Sequence, residues 1–187
     1  MIDPDLKIFL QNLKNYGLNN QIPNISETTA KLLHFLVLQQ KAQNILEIGS
    51  ANGYSTIWLA DAARQNKGKV HTCDVSLPSF YAAQDNVNQV GLSEYVNFQF
   101  GSALQLFKNC PLRFDFVFLD AQKSEYHLFW ELIKTLIHPQ SLVLVDDVIK
   151  FPQKTAAFQA KIESEPDYFH CIIPVDGDDG IMLISHK

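Results

Sequence analysis

Apolar residues recur along the chain with two different spacings that alternate from segment to segment. Five short runs are rich in β-branched and aromatic residues, and the segments between them place apolar side chains every three or four positions. The runs NILEIG, FDFVFL and SLVLV are apolar at nearly every position, as in strands of a parallel sheet that helices cover on both faces. We therefore predict strands at 44–49, 69–74, 96–100, 114–120 and 141–147, and helices at 31–38, 55–63, 80–90, 126–137 and 154–162.

The two ends of the chain depart from this alternation. Residues 168–175 and 181–185 are further β-like runs, joined by the turn-forming sequence DGDDG, which includes Asp176, Asp178 and Asp179. They predict a C-terminal antiparallel hairpin that completes a doubly wound, mostly parallel α/β sheet. We predict a short helix and a joint at residues 1–24, and the rest of a single domain at 25–187. A chain of 187 residues is long enough to bury a core without disulfides or a metal.

Charge and cysteine content narrow the function classes. The chain has 15 Lys and Arg against 20 Asp and Glu, a net charge of −5, so nucleic acid is a disfavoured partner. Cys73, Cys110 and Cys171 form no C-x-x-C spacing and no even-numbered framework, which favours a reducing cytoplasm. Every apolar run is far shorter than the ~20 residues that span a bilayer. We expect a soluble cytoplasmic protein.

Acidic residues gather where the predicted parallel strands end. Ligands of such sheets bind outside the carboxyl ends of the strands, near the point where the strand order reverses. The acids at these ends are Glu47, Asp74, Asp120, Asp146 and Asp147. Five carboxylates on one rim repel one another unless positive groups are bound among them, so the rim predicts a cationic ligand.

The first strand runs into a glycine loop and then a helix. Gly49 and Gly53 let a ligand approach the backbone, and the helix start offers free N–H groups. The G-x-x-x-G spacing lacks the third glycine of the dinucleotide motif and suits a smaller nucleoside ligand. Asp74 lies 74 − 53 = 21 residues beyond Gly53, where an acid can accept ribose hydroxyls. An adenosine-type cofactor is indicated; the alternative is that Asp74 only caps a turn.

Asp120, Asp146 and Asp147 form an all-oxygen set that suits Mg²⁺, Mn²⁺ or Ca²⁺ better than zinc. Lys123 follows Asp120 by three residues and can face the same opening. There it could take a proton from a hydroxyl whose pKa a metal has lowered. The alternatives are that one aspartate caps the next segment while the other is solvated, and that Lys123 is an ordinary surface lysine.

Together these segments resemble the cation-dependent O-methyltransferases that use S-adenosylmethionine, a family that includes catechol and caffeoyl-CoA O-methyltransferases. The similarity runs from about Ile25 to the C-terminus. NILEIGSANGYST is similar to that family's E-[IVL]-G-x-x-x-G-Y-S motif, VHTCD to its ribose strand and FDFVFLDAQKSEY to its D-A-x-K-x-x-Y segment. LVLVDDV and DGDDGIMLISHK are similar to its metal strand and final hairpin. The resemblance implies a Rossmann-like class I methyltransferase fold with seven strands.

The resemblance also implies roles for individual residues, which fall into cofactor, metal and catalytic groups. Those implied to bind the cofactor are Glu47, Gly49, Ser50 and Ser55 at its methionine part, Asp74 at the ribose, Ser102 and Ala103 at the adenine, Ile25 as a cover, and Asp120. Asp120, Asp146 and Asp147 would hold the divalent cation, with Mg²⁺ preferred over Mn²⁺ or Ca²⁺. Lys123 would be the general base, with Asp120 beside it as a second catalytic residue.

Three departures from the family bear on the acceptor. Asp147 stands where the family usually has Asn, Gln122 where plant relatives have a second acid, and residues 148–153 lack the usual insertion-loop residues. We expect methyl transfer to a hydroxyl of a small aromatic, catechol-like acceptor, with a homodimer left open. Two alternatives remain: a tRNA hydroxyuridine methyltransferase, which the net charge disfavours, and a non-catalytic S-adenosylmethionine-binding protein.

Overall fold

A computed structural model describes residues 2–175, 177 and 179–187, and it places seven strands in one sheet. The strands are β1 (Asn44–Ile48), β2 (Lys69–Asp74), β3 (Val96–Phe100), β4 (Phe114–Leu119), β5 (Ile137–Val145), β6 (Tyr168–Pro174) and β7 (Gly180–His186). The helices are α1 (Pro4–Asn19), α2 (Glu27–Gln40), α3 (Tyr54–Gln65), α4 (Leu77–Gln89), α5 (Ala103–Leu106), α6 (Tyr126–Leu136) and α7 (Pro152–Ser164). Short 3-10 turns occupy Ser93–Tyr95 and Lys123–Glu125.

The strand order is β3-β2-β1-β4-β5-β7-β6, which confirms the predicted doubly wound sheet and its C-terminal hairpin. β1 pairs in parallel with β2 on one side and with β4 on the other. The chain therefore builds the sheet outward in both directions from β1, and the order reverses between β1 and β4. β7 pairs in antiparallel fashion with both β5 and β6. The crevice for a ligand is expected above the carboxyl ends of β1 and β4.

Two apolar cores cover the two faces of the sheet, which explains the nearly continuous apolar strands. Successive side chains of a strand point to opposite faces. In β4, Phe116 and Phe118 pack with the core formed largely by α1 to α4, whereas Val117 and Leu119 pack with the core of α5 to α7. All four side chains are fully buried.

Several element boundaries differ from the prediction by up to four residues, and one short helix was not predicted. β5 begins at Ile137 rather than at residue 141, because Ile137 pairs with Phe114 across an irregularity in the β4–β5 register. The intervening residues include Pro139, which lacks an N–H, so the sequence pattern did not indicate a strand there. The short helix α5 was not predicted, since four residues are too few to show a helical repeat.

Helix α1 and its connection to α2 form the N-terminal end of the fold, and the hairpin of β6 and β7 forms the C-terminal end. α1 and a joint of residues 20–26 precede α2. Asp176 and Asp178 of the predicted turn lie outside the described residues. Across the described ranges, the helices are all too short or too polar to cross a membrane.

Candidate active site

A cavity of about 770 Å³ opens above the carboxyl ends of the central strands, where the strand order reverses. This volume lies within the usual range for small-molecule sites. Almost all of the predicted site residues line it together. They are Ile25, Gly49, Ser50, Ser55, Asp74, Ser102, Ala103, Asp120, Lys123, Asp146 and Asp147.

The glycine loop after β1 is pressed against the end of β4. Gly49 has a φ of +100°, and a Cβ built on it would lie 2.0 Å from the carbonyl oxygen of Asp120. Gly53 has a φ of +85°, and its Cβ would lie 3.0 Å from the Cα of Ala83 in α4. Only glycine combines these backbone angles with such close approach. The loop that was predicted to hold a cofactor therefore touches the segment that carries Asp120.

Asp74 joins the ends of β1 and β2. Its Oδ2 accepts hydrogen bonds from the backbone N–H groups of Ser50 at 3.1 Å and Ala51 at 3.0 Å, and its Oδ1 accepts from Ser76 N at 2.8 Å. The carboxylate thus shapes the glycine loop and a following turn, as the turn-capping alternative required. It also lines the cavity, and a carboxylate has about four acceptor positions, so it retains capacity for hydroxyl groups.

Glu47 is the one predicted site residue that does not line the cavity. It is fully buried, and its carboxylate accepts hydrogen bonds from Ser55 Oγ at 2.7 Å, Thr56 Oγ1 at 2.6 Å and Thr72 Oγ1 at 2.6 Å. Burial raises the pKa of Glu47 to about 7, against the lowering effect of the three hydroxyls. The side chain has no surface for direct contact with a ligand. Its position supports Ser55, which does line the cavity.

The two threonines were missed by sequence reasoning. Thr72 lies opposite Glu47 in the parallel pairing of β1 and β2, and Thr56 lies in the first turn of α3. The alternation along β2 could have indicated Thr72, because Val70 and Thr72 share a buried face of the strand, and a buried carboxylate needs donors.

The acidic cluster forms at the ends of β4 and β5. Asp120, Asp146 and Asp147 each offer a carboxylate oxygen, and these oxygens lie within 4.8 Å of one another. Lys123 Nζ lies 2.6 Å from Asp120 Oδ1 and 2.7 Å from Asp147 Oδ2. Lys123 is therefore not an ordinary surface lysine. With all four groups ionised, three carboxylates and one ammonium carry a formal charge of −3 + 1 = −2, which fits a hard divalent cation, as does the all-oxygen donor set.

Ionisation within the cluster is strongly unequal. Burial and the neighbouring carboxylates raise the pKa of Asp146 well above its ordinary value. Burial also raises the pKa of Asp120, with Lys123 acting in the opposite direction. Burial would lower the pKa of Lys123, but Asp120 and Asp147 outweigh it, so that pKa is raised. Lys123 is thus held as an ammonium between two carboxylates.

Asp147 has an unusual backbone and an unpredicted partner. Its φ is 60°, a left-handed conformation that Asp and Asn tolerate better than most other residues. Its carboxylate is hydrogen bonded to Asp179, whose pKa is raised to about 6 by burial and by Asp147. Asp179 lines the cavity and was predicted only as part of a turn. The hairpin thus contributes a carboxyl group that only the folded sheet brings to the site.

The cavity walls also contain a polar atom without a partner. Ser50 is buried, and its Oγ has no hydrogen-bond partner among the described residues, although Ser50 lines the cavity. A buried hydroxyl without a partner is costly, so Ser50 Oγ is positioned for a polar ligand. Ile25 and Ser26 also line the cavity; Ile25 is buried, and Ser26 caps α2, its Oγ accepting from Thr29 N at 2.9 Å. These residues close the cavity from the N-terminal side.

Comparison with known proteins gives the family. A family model described as O-methyltransferase matches residues 3–186, which extends the resemblance toward the N-terminus beyond Ile25. The chain belongs to the O-methyltransferase family. It is similar to a catechol O-methyltransferase of Niastella koreensis, with 34% identity over 131 residues that cover 68% of this chain and 59% of the relative. The match thus spans less than two thirds of that relative's length.

Two solved structures of O-methyltransferases share the fold. One, from Bacillus cereus in complex with SAH, covers 96% of this chain and 90% of its own, with a TM-score of 0.86 and 28% identity. The other is TomG from Streptomyces achromogenes, described as involved in tomaymycin synthesis and solved in complex with SAM. It covers 100% of this chain and 91% of its own, with a TM-score of 0.87 and 25% identity. The Rossmann-like methyltransferase fold is thereby confirmed.

Proposed function

We propose that this protein transfers a methyl group from S-adenosylmethionine to a hydroxyl of a small aromatic, catechol-like acceptor, with the help of a divalent cation. One observation carries the proposal. The glycine loop after β1 contacts the backbone of Asp120, so a cofactor-type loop and an all-oxygen cation cluster share one cavity. Methyl transfer to oxygen needs a sulfonium donor beside an activated hydroxyl, and this arrangement provides space for both.

The residues proposed to bind the cofactor line the cavity, apart from Glu47. Asp74 would accept the ribose hydroxyls, with Ser102 and Ala103 near the adenine. Gly49, Ser50 and Ser55 would surround the methionine part, and Ile25 would cover it. Glu47 would act through the hydrogen bond that it accepts from Ser55. The complexes of the two related structures with SAH and SAM support this choice of cofactor.

The cation would be held by Asp120, Asp146 and Asp147, with Mg²⁺ the first choice over Mn²⁺ or Ca²⁺. When bound, such an ion supplies Lewis-acid chemistry that lowers the pKa of an acceptor hydroxyl. Lys123 is held as an ammonium by Asp120 and Asp147. It can accept a proton only when those carboxylates are engaged elsewhere and the ammonium has lost its own proton. Asp120 therefore controls both the position and the protonation state of Lys123.

The reaction itself exchanges one bond for another. The acceptor oxygen forms a bond to the methyl carbon as the carbon–sulfur bond breaks, and the hydroxyl proton passes to the neutral amine of Lys123. The sulfonium loses its positive charge in this step. The acidic residues of the rim therefore have to bind the charged donor without stabilising it more than the transition state. The chain contributes mainly position and electrostatics.

A methyl-transfer assay tests the proposal. The purified chain is incubated with S-adenosylmethionine and a panel of catechols, flavonoids and bulk tRNA, each with Mg²⁺ and with EDTA. We expect methylated catechol-type products with Mg²⁺ and loss of product with EDTA. Methylation of tRNA alone would favour the hydroxyuridine alternative. Cofactor binding without turnover on any acceptor would favour a non-catalytic binding protein.

We also propose that residues 1–187 form one methyltransferase domain and that the protein is cytoplasmic. The cytoplasmic location rests on the cysteine pattern and the acidic composition. A homodimer stays a prediction, which sedimentation analysis of the purified chain would test.

A further inference from the structure

Among the described residues, three lysines line the cavity, and different contacts hold each of them. Lys123 is paired with Asp120 and Asp147, and Lys150 is exposed on the loop that follows these acids. Lys14 is half-buried on α1. Within the part of the chain that the structure describes, no carboxylate oxygen lies within 4 Å of Lys14 Nζ. Lys14 therefore brings to the cavity wall a positive charge that no carboxylate of the described residues neutralises by direct contact.

Lys14 is held in place by packing. Its Nζ lies 5.8 Å from the centre of the Tyr54 ring, within the range of a cation–π contact. One turn further along α1, Gly17 lets the joint fold back closely, since a Cβ there would lie 2.2 Å from Asn24 Nδ2. Ile22 N donates to the carbonyl oxygen of Gly17 at 2.9 Å. The contacts of Gly17 hold α1 against the joint that covers the cavity.

The surroundings of Lys14 favour an anion. Tyr54 is the first residue of α3, which begins at the end of the glycine loop. Lys14 also contributes to lowering the pKa of Glu27, the first residue of α2, although Lys31 has the larger effect. Lys14 thus lies near the N-termini of two helices, where free N–H groups and the helix dipole also attract negative charge. Glu27 is paired with Lys31 at 2.8 Å.

The end of the proposed cofactor site away from Lys14 is acidic. Asp74 lies at the end of β2, where the ribose is proposed, and Ser55 lies in the first turn of α3 next to Tyr54. A cofactor that extends from Asp74 across the glycine loop to Ser55 directs its amino-acid end toward α1. The anionic group at that end of S-adenosylmethionine is its α-carboxylate.

We propose that Lys14 binds the α-carboxylate of the cofactor as an ion pair. The proposal rests on the proposed function, because it takes S-adenosylmethionine as the ligand. It assigns α1, which precedes the main βα units, a direct part in cofactor binding. It also explains why α1 presents a half-buried lysine to the cavity and secures it on Tyr54.

Isothermal titration with two ligands tests this role. One ligand is S-adenosylhomocysteine, and the other is its decarboxylated analogue, S-adenosyl-3-thiopropylamine, which lacks only the carboxylate. Lys14→Met keeps the alkyl contact with Tyr54 and removes the charge. We expect Lys14→Met to weaken S-adenosylhomocysteine binding roughly tenfold and to change binding of the analogue by less than about twofold. Lys14→Arg should restore most of the loss.

The matched control is Lys7→Met, at an exposed position of the same helix outside the cavity lining, and it should leave both affinities unchanged. Equal losses for the two ligands in Lys14→Met would show that the lysine only packs, and unchanged affinities would show that it makes no contact; either result overturns the proposal. If Lys14→Met does not fold, Lys14→Gln replaces it with the same expectations. Failure of the wild-type chain to bind S-adenosylhomocysteine would instead refute the proposed cofactor.

Discussion

A Cβ atom on Gly49 would lie 2.0 Å from the carbonyl oxygen of Asp120, so the loop after β1 and the segment after β4 meet backbone to backbone. This contact places the proposed cofactor loop beside the acidic cluster. Both sides of the contact are fixed by the β1–β4 pairing, in which Ile48 lies opposite Leu119. In the proposed reaction, the distance between the methyl donor and the acceptor hydroxyl therefore depends on Gly49, which has no side chain.

Gly49→Ala should destabilise the fold and abolish cofactor binding. The substitution combines a strained positive φ with a clash against Asp120, and we expect a loss of roughly 3 to 4 kcal/mol in the free energy of unfolding. Urea denaturation and titration with S-adenosylhomocysteine measure the two effects. Gly91→Ala is the matched control, because Gly91 also has a positive φ, +69°, but nothing lies within 4 Å of its Cβ position. It should lose only about 1 kcal/mol; equal losses in both variants would contradict the role of close approach.

Asp74→Asn should weaken cofactor binding without unfolding the chain. The amide keeps one oxygen acceptor, but its NH₂ group would face a backbone N–H in either orientation, since both oxygens of Asp74 accept hydrogen bonds from backbone N–H groups. We expect at least a roughly tenfold loss of affinity for S-adenosylhomocysteine, because charge-assisted hydrogen bonds are lost. Asp85→Asn, at an exposed position of α4, should have no effect. Unchanged affinity in Asp74→Asn would exclude the ribose role.

Glu47 should make the stability of the protein depend on pH. Its pKa is about 7 in the fold against an ordinary value of 4.5, so the folded state binds the proton more tightly than the unfolded state does. The resulting stabilisation is present below pH 4.5 and is lost as the pH rises through about 7, a loss of about 3 kcal/mol. Glu47→Gln should remove this part of the dependence. Denaturation of both proteins between pH 4.5 and 8 measures it, and parallel curves would show that Glu47 does not titrate in this range.

Asp147→Asn should retain cation-stimulated turnover. Asn offers one oxygen and tolerates the φ of 60° at this position, and the resembled family usually has Asn there. We expect Mg²⁺ activation within roughly tenfold of wild type, whereas Asp147→Ala, which has no oxygen, should lose it. Activity is measured against Mg²⁺ concentration, with EDTA as the zero point. Activation of Asp147→Ala equal to wild type would remove Asp147 from the cation site.

The sequence predicted the strands and their acidic ends because local properties determine them. Asp120, Asp146 and Asp147 directly follow apolar strands, and strand ends of a parallel sheet share one edge. The position of Asp179 depends on a long-range pairing, because β7 of the hairpin lies beside β5. The periodicity of residues 168–185 does not specify which strand the hairpin pairs with. Lys14 likewise reaches the cavity only through the packing of α1 on Tyr54.

Glu47 shows the limit of motif reasoning in another way. The motif places it at the end of β1, and it does occupy that strand. Its side chain, however, faces the interior, because Thr72 and the first turn of α3 supply three hydroxyl donors there. Alternation along a strand is too weak to assign the face of one polar residue when both faces are buried.

The central claim is that the cofactor loop and the acidic cluster act together in methyl transfer to oxygen. Its most direct test is transfer of a ¹³C-methyl group from labelled S-adenosylmethionine to a catechol, detected by mass spectrometry, for wild type, Lys123→Met and Asp146→Ala, the last of which has no ligand oxygen. We predict a labelled O-methyl product with wild type and Mg²⁺, little or none with either variant, and unchanged binding of S-adenosylhomocysteine by both. Equal product from wild type and Lys123→Met, or no product on any acceptor from a wild-type protein that binds the cofactor, would contradict the claim.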